Sequence, residues 1–293
     1  MTYKYMRDSL EDKYGFLKLQ DKILEIAVYI DKFCYENDIK YCLMGGSALG
    51  AKRHGGFIPR DDDLDIFMTV TDYENFRKKF FDTGDKEKYY LQQLGYSNGM
   101  ITTAKIRMNE TFFLEESIKE FDIHHGIYID IFILHVCPKN KILQLWQCLW
   151  AKYVIAKGIA LRKTFNRHTG IIAAIIKIVS YLPARFLLNF ALKQVYLYDK
   201  SYTGLYANFL GKAKYRKGIY KSDWFDNPEY VSFEKVKLKA PAQLHDFLSL
   251  RFGDYTKIPS QERIKYEQHA SIWKDRVDNY KKGQAYKDEN KMY

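Results

Sequence analysis

Residues 61–65 read Asp-Asp-Asp-Leu-Asp, and the apolar Ile66, Phe67 and Met68 follow at once. Acidic and apolar residues alternate from Asp63 to Met68, which predicts a strand with Asp63 and Asp65 on one face. Like charges held that close repel unless a cation neutralises them. A solvated acidic turn is the plain alternative, but Leu64, Ile66 and Phe67 tie this segment to a core. Asp130 stands alone in the apolar run Tyr128-Ile129-Asp130-Ile131-Phe132-Ile133-Leu134. A bare carboxylate in a buried strand costs several kcal/mol, on the order of the penalty for an unpaired buried charge. It therefore needs a partner, either a structural ion pair or a shared cation with Asp63 and Asp65. All three ligands are oxygen donors, which suits Mg²⁺ or Mn²⁺ held together with donor phosphates. In the second case Asp130 is a third ligand or the base for an incoming hydroxyl. Asp61 either caps the turn or reaches the metal shell through water, and Asp62 faces away from Asp63.

Gly45-Gly46-Ser47 precedes this acidic strand by 16 residues (63 − 47). Glycines let a backbone come close to a phosphate, and a helix opening there presents free N–H groups and a positive dipole end. Ser47 adds a hydroxyl. Arg53 and His54 lie between the two elements. Arg53 is suited to bidentate phosphate contact, or else is a surface residue at a helix end, where His54 complements the dipole. Lys105 and Arg107 share a strand face and are further candidates to reach a donor.

The elements that must position these residues are legible in outline. Leu19, Ile23, Ile26, Ile30 and Phe33 make one face of a helix over 16–36. Ile39 to Met44 reads as a strand running into the glycine turn. Thr71 and Glu74 form a capping-box pattern opening a helix through Phe80. Segments near 101–108 and 111–115 read as strands, and Tyr128–Leu134 as a buried strand. Residues 139–200 are helical in pattern, broken near Gly170 and Pro183. The last dozen or so residues look frayed. The alternation predicts an α/β or α+β core.

The 293 residues suffice for one large domain or a domain with a helical extension. The division expected is a catalytic core over 1–138, a basic helical subdomain over 139–203 and a C-terminal segment over 204–293 that lines a donor or acceptor cleft. Cys34, Cys42, Cys137 and Cys148 fit neither zinc spacing nor a disulfide framework and read as reduced thiols. The first residues lack the apolar stretch of a signal peptide. A cytoplasmic protein is expected, either free or peripheral at the inner face of the plasma membrane.

The net charge is +11. No Asp or Glu occurs between Ile131 and Tyr198, while that stretch holds Lys139, Lys141, Lys152, Lys157, Arg162, Lys163, Arg167, Lys177, Arg185 and Lys193. A block so one-sided faces a polyanion or an anionic membrane. Within it, IIAAIIKIVSYL (171–182) is too short to span a bilayer. It is either a core helix of the subdomain or a helix lying in a membrane interface.

The segment GGSALGAKRHGGFIPRDDDLDIFM (45–68) resembles the signature of the LicD family of phosphotransferases, and GIYIDIF (126–132), KGIYKSDWF and RFGDYTKIP, with the tail ending near His269, resemble it too. The resemblance implies an α+β nucleotidyltransferase-like mixed sheet flanked by helices, with a basic helical insertion and a C-terminal mixed segment. It also implies transfer of phosphocholine or a similar group from a CDP-activated donor to a cell-surface glycan or lipid-linked glycan, with CMP released. Gly46 and Ser47 would contact donor phosphates, Asp63 and Asp65 would bind the metal, and Asp130 would complete the acidic set. One departure is Arg60, where the family usually has Trp; it bears on donor or acceptor identity.

Three other readings compete. The first is a nucleotidyltransferase acting on nucleic acid or a small molecule, although no nucleic-acid-binding motif is present and no nucleic-acid partner is expected. The second is a glycosyltransferase using its acidic pair on a nucleotide sugar. The third is a binding module that kept the fold without the chemistry.

Overall fold

A computed structural model describes residues 12, 14–95, 101–115, 118, 121, 123–162, 170–182, 184–257 and 270–277. Helix α1 (Leu17–Glu36) buries the expected stripe of Leu19, Ile23, Ile26, Ile30 and Phe33. Strand β1 (Cys42–Leu43) leads directly into α2 (Gly45–His54), so the glycines form the first turn of the helix instead of a separate loop. Gly55 ends α2 in the left-handed conformation (φ 71°), as glycine at that position favours. Strand β2 (Asp65–Thr69) starts two residues later than expected. Helix α3 (Val70–Thr83) follows without a loop. Its cap is Thr69, not Thr71: the Thr69 hydroxyl accepts the Asp72 amide proton at 3.1 Å. The strand runs right up to Thr69, so the chain first turns into a helix there.

Strands β3 (Tyr89–Gln92), β4 (Thr103–Met108), β5 (Phe112–Glu115) and β6 (Tyr128–Val136) come next. The main sheet has the order β1-β2-β6-β4-β3. Strands β2 and β6 are parallel; the other neighbours along that path are antiparallel. The fold is a curled mixed α+β sheet flanked by helices. Helices α4 (Lys141–Leu161), α5 (Gly170–Tyr181) and α6 (Ala184–Val195) form the helical insertion. The breaks fall near Gly170 and Pro183, as expected.

The chain returns through β7 (Leu205–Ala207), which pairs with the end of β6, and then β8 (Ile219–Lys221), the single turn α7 (Asp223–Asp226) and the hairpin β9 (Glu229–Phe233)–β10 (Val236–Ala240). Helix α8 (Leu244–Phe252) and β11 (Ala270–Lys274), which pairs with β5, complete it. Tyr220, Phe225 and Phe247 of this return surround Phe67 of β2, with ring centroids 5.8–6.3 Å from it. The C-terminal segment thus shares one core with the sheet. A second cluster, around Cys148, Val154, Leu188, Leu192 and Phe209, fastens α4 and α6 to the end of β6 and to the chain after β7.

Candidate active site

In the parallel ladder Asp65 of β2 lies opposite Asp130 of β6. Registered neighbours project from the same face at a strand spacing of about 4.8 Å. On the other side of Asp130 the register partner is Lys105 of β4, and beyond it Gln92 of β3. Asp65, Asp130 and Lys105 therefore stand abreast on three adjacent strands. Burial alternates from Asp61 to Leu64: Asp61, Asp63 and Asp65 are partly open while Asp62 and Leu64 are buried. The two-residue period thus continues ahead of the strand and keeps Asp63 on the side of Asp65. Asp63, Asp130 and Glu115 all lie close enough to Tyr128 to raise its phenol, in addition to the larger effect of its burial.

The glycine turn opens at this row. The Met44 amide donates to the Asp65 carbonyl at 3.0 Å, and the Asp65 amide donates to Ser47 Oγ at 2.8 Å. Ser47 thus fixes the backbone of the acidic strand to the first turn of α2. A Cβ on Gly46 would stand 3.1 Å from Asp61 Oδ2, and one on Gly45, whose φ is +53°, 3.8 Å from Asp65 Oδ2. Only glycine lets the α2 N-terminus and the carboxylates lie so close. The loop carrying the acids is held from behind by buried Gln20, whose amide donates to the Asp61 carbonyl at 2.9 Å and to that of Ile58 at 3.3 Å.

Asp130 has the partner its burial requires. Lys105 Nζ lies 2.7 Å from Asp130 Oδ1 and 3.2 Å from Glu115 Oε2, with the Tyr128 ring centroid at 3.4 Å. Lys105 is only 3% exposed, so it serves as a counterion inside the sheet face and is not open to a donor. Arg107 is likewise internal: it donates to Gln92 Oε1 (2.6 Å), the Gly126 carbonyl (2.9 Å) and Glu115 Oε1 (3.0 Å). Burial raises the Glu115 carboxyl, but Lys105 and Arg107 more than offset this and hold it well below the ordinary range. Arg162, at the end of α4, is half-buried; burial lowers its guanidinium from the ordinary value and the nearby charges of Glu115 and Asp130 raise it.

Arg53 is also turned away from the donor role expected of it. Its Nη1 donates to the carbonyls of Tyr255 and Lys257 at 3.1 and 3.4 Å, tying α2 to the chain after α8. His54 is kept neutral down to about pH 4, first by burial and then by the charges of Arg53 and Arg60. It is a helix-end residue and carries no positive charge at neutral pH. The arginine that borders the glycine turn is Arg251. The ideal Cβ of Gly45 would lie 3.8 Å from both Arg251 Nη2 and Asp65 Oδ2, and Arg251 Nη1 donates to the Tyr220 hydroxyl at 2.9 Å. Arg251 follows the buried Phe247 by four residues on α8, so the packing of one aims the other. That spacing was the available signal.

Among the described residues no three His, Cys, Asp or Glu side chains close into a metal-ligand cluster. A closed cage is not what Mg²⁺ needs. It is commonly held by one or two carboxylates together with substrate phosphates and water. The half-open Asp63 and Asp65 beside a helix N-terminus fit that pattern, with Asp130 ion-paired to Lys105 on the adjacent strand.

A Gly-Gly-Ser helix start thus opens onto an acidic parallel strand pair in a mixed sheet. Residues 38–152 match the family model described as "LicD/FKTN/FKRP, nucleotidyltransferase domain", and the chain carries a LicD-family domain. Over 250 residues it is 26% identical to the lipopolysaccharide cholinephosphotransferase LicD of Haemophilus influenzae, an alignment covering 83% of this chain and 91% of that one. It is also 49% identical over 43 residues to an uncharacterized protein of Rickettsia typhi, covering 15% of this chain and 14% of the other.

Proposed function

We propose that this protein transfers a phospho-substituent, phosphocholine or a close analogue, from a CDP-activated donor to a cell-surface glycan or its lipid-linked precursor. The observation that carries this reading is the meeting of the Asp61–Asp65 carboxylates with the α2 N-terminus, supported by the similarity to a lipopolysaccharide cholinephosphotransferase. Asp63 and Asp65 would hold a divalent cation, Mg²⁺ or Mn²⁺. When bound, it supplies positive charge against the donor diphosphate and the CMP leaving group. The amides of Gly45, Gly46 and Ser47 point along the helix dipole and hold phosphate oxygens. Arg251 adds a planar donor fork beside the same turn. These groups orient the donor and stabilise charge as it develops in transfer. Asp130, tied to Lys105, would keep its strand in register with that of Asp65.

The test is CMP release from a panel of CDP-linked donors, with Mg²⁺ or Mn²⁺ added. One productive donor is expected, with activity lost in Asp63→Asn and Asp65→Asn. Full turnover in either variant, or in the presence of chelator, would remove the metal-clamp reading. The nucleic-acid reading has no binding motif to support it, and Lys157 of the basic block is turned inward and contributes nothing to an external phosphate track.

A further inference from the structure

Helix α5 exposes most of its apolar side chains. Only Ile176 and Val179 of its twelve residues are buried, while Ile171 is 80% exposed and Ile172, Ile175, Ile178 and Tyr181 are open as well. The alternative of a core helix is therefore set aside. Helix α6 continues the face with Phe186, 81% exposed, and Phe190. The hairpin that presents them is firmly built. Lys157 of α4 is buried, and its ammonium donates to the carbonyls of Val179 and Leu182 at 3.0 and 3.1 Å, capping the end of α5. Lys177, Arg185 and Lys193 are exposed among these apolar residues.

We infer that the α5–α6 face docks on the surface of an anionic phospholipid bilayer. Charge decides the occupant. The face carries cations, and no acidic residue occurs from Ile131 to Tyr198. A two-fold contact with a second copy would set these cations against themselves, because such an interface pairs a patch with its own image. An anionic lipid surface instead attracts each Lys and Arg while its acyl boundary takes up the Ile and Phe side chains. Docking is interfacial. No single helix among the described residues is long and apolar enough to cross a membrane. The α5 and α6 axes bend by 117° at their break, and α5, at about 18 Å, is shorter than a hydrocarbon core of about 30 Å. Arg162, first expected on this surface, is not part of it, because it faces Glu115 and Asp130; Lys163 lies outside the described residues.

The experiment is vesicle flotation of the full chain, with vesicles of phosphatidylcholine alone and of phosphatidylcholine mixed with phosphatidylglycerol. Binding to the mixed vesicles and weak binding to neutral ones is expected. Ile175→Glu/Ile178→Glu and Lys177→Glu/Arg185→Glu should each lower partitioning at least ~10-fold, with unchanged melting temperature because all four side chains are exposed. Ile171→Glu gives an independent single change at the most open position of α5. No binding to the mixed vesicles, or binding that both double variants retain, overturns the inference. So does a dimer that Ile175→Glu/Ile178→Glu dissociates in the absence of vesicle binding. The assay contains no donor or acceptor, so its failure would leave the transfer reaction standing.

Discussion

Replacing Lys105 by Met tests the electrostatic frame behind the acidic row. The ion-paired set contains two cations, Lys105 and Arg107, and two anions, Glu115 and Asp130, at contacts of 2.7–3.2 Å, with the charge of Arg162 nearby but in no ion pair with them. Lys105→Met keeps most of the side-chain volume but leaves one negative charge uncompensated, at a cost of about 3–5 kcal/mol. For a chain of this size that lowers the melting midpoint by roughly 6–20 °C. Adding Asp130→Asn to Lys105→Met restores the balance, one cation against one anion, so the double variant should recover about 2 kcal/mol or more relative to Lys105→Met. Urea unfolding of the four proteins of this cycle measures the coupling. Free energies that add within about 0.5 kcal/mol would refute the account, as would a Lys105→Met variant as stable as the parent. The same proteins separate two roles for Asp130. A double variant that regains both stability and turnover assigns it to balancing Lys105. One that regains stability but stays inactive assigns it to the donor or its cation.

Asp63→Asn and Asp65→Asn should each reduce CMP release at least ~100-fold, with far-UV circular dichroism unchanged; isothermal titration with Mn²⁺ should show the matching loss of affinity. Arg251→Ala should raise KM for the donor and lower kcat, and Arg251→Lys should recover only part of this because an ammonium lacks the planar fork; steady-state kinetics against a single CDP-linked donor reads both. The folded-state pKa of Glu115 is depressed, so its contribution to stability is full above the unfolded carboxylate value near 4.5 and is lost as pH falls toward about 2. Thermal melts of Glu115→Gln, less stable at neutral pH, should show a flatter pH dependence across that window. His54, held neutral to about pH 4, favours the fold above pH 6.5, and this support is lost as pH falls from 6.5 to 4. His54→Gln should remove that part of the acid sensitivity.

How much was legible in the sequence depended on whether a residue's role is local. The stripe of α1, the alternation around Asp65 and the apolar run of β6 are periodicities, and all three elements formed near the expected positions. Overlapping signals were harder. Thr69-x-x-Asp72 and Thr71-x-x-Glu74 are both capping patterns, and only the length of β2 chose between them. Strand β3 was not anticipated, nor was the hairpin β9–β10, most of whose β9 residues are exposed and so lack a clear buried face. Lys105 and Arg107 were correctly placed on one face of one strand but misread as donor ligands. A shared face says nothing about what stands around it, and here it is Asp130 on the adjacent strand β6 and Glu115 on β5. Arg53, expected near the donor, and Arg251, of which nothing was expected from the sequence, are placed as they are for the same reason. One clamps backbone carbonyls and the other borders the glycine turn, and both outcomes depend on how the C-terminal segment folds back.

That return explains why the site needs the whole chain and not only the matched stretch of 38–152. Within that stretch the glycine turn and the acids meet, but the opening is incomplete. The loop after α2 is fixed from outside: the Phe57 amide donates to Glu234 Oε1 at 2.9 Å, and the Glu234 amide to the Gly55 carbonyl at 2.7 Å. A Cβ on Gly56 would collide with the Glu234 side chain, so the contact demands glycine there. Phe247 locks α8 against Phe67, two residues past Asp65, and thereby delivers Arg251 to that carboxylate's side of the turn. The β9–β10 turn sets the loop before the acidic run, while α8 supplies its neighbouring cation. The C-terminal segment is accordingly part of the site's architecture, and its distance in sequence is the reason its contribution had to be read from the fold.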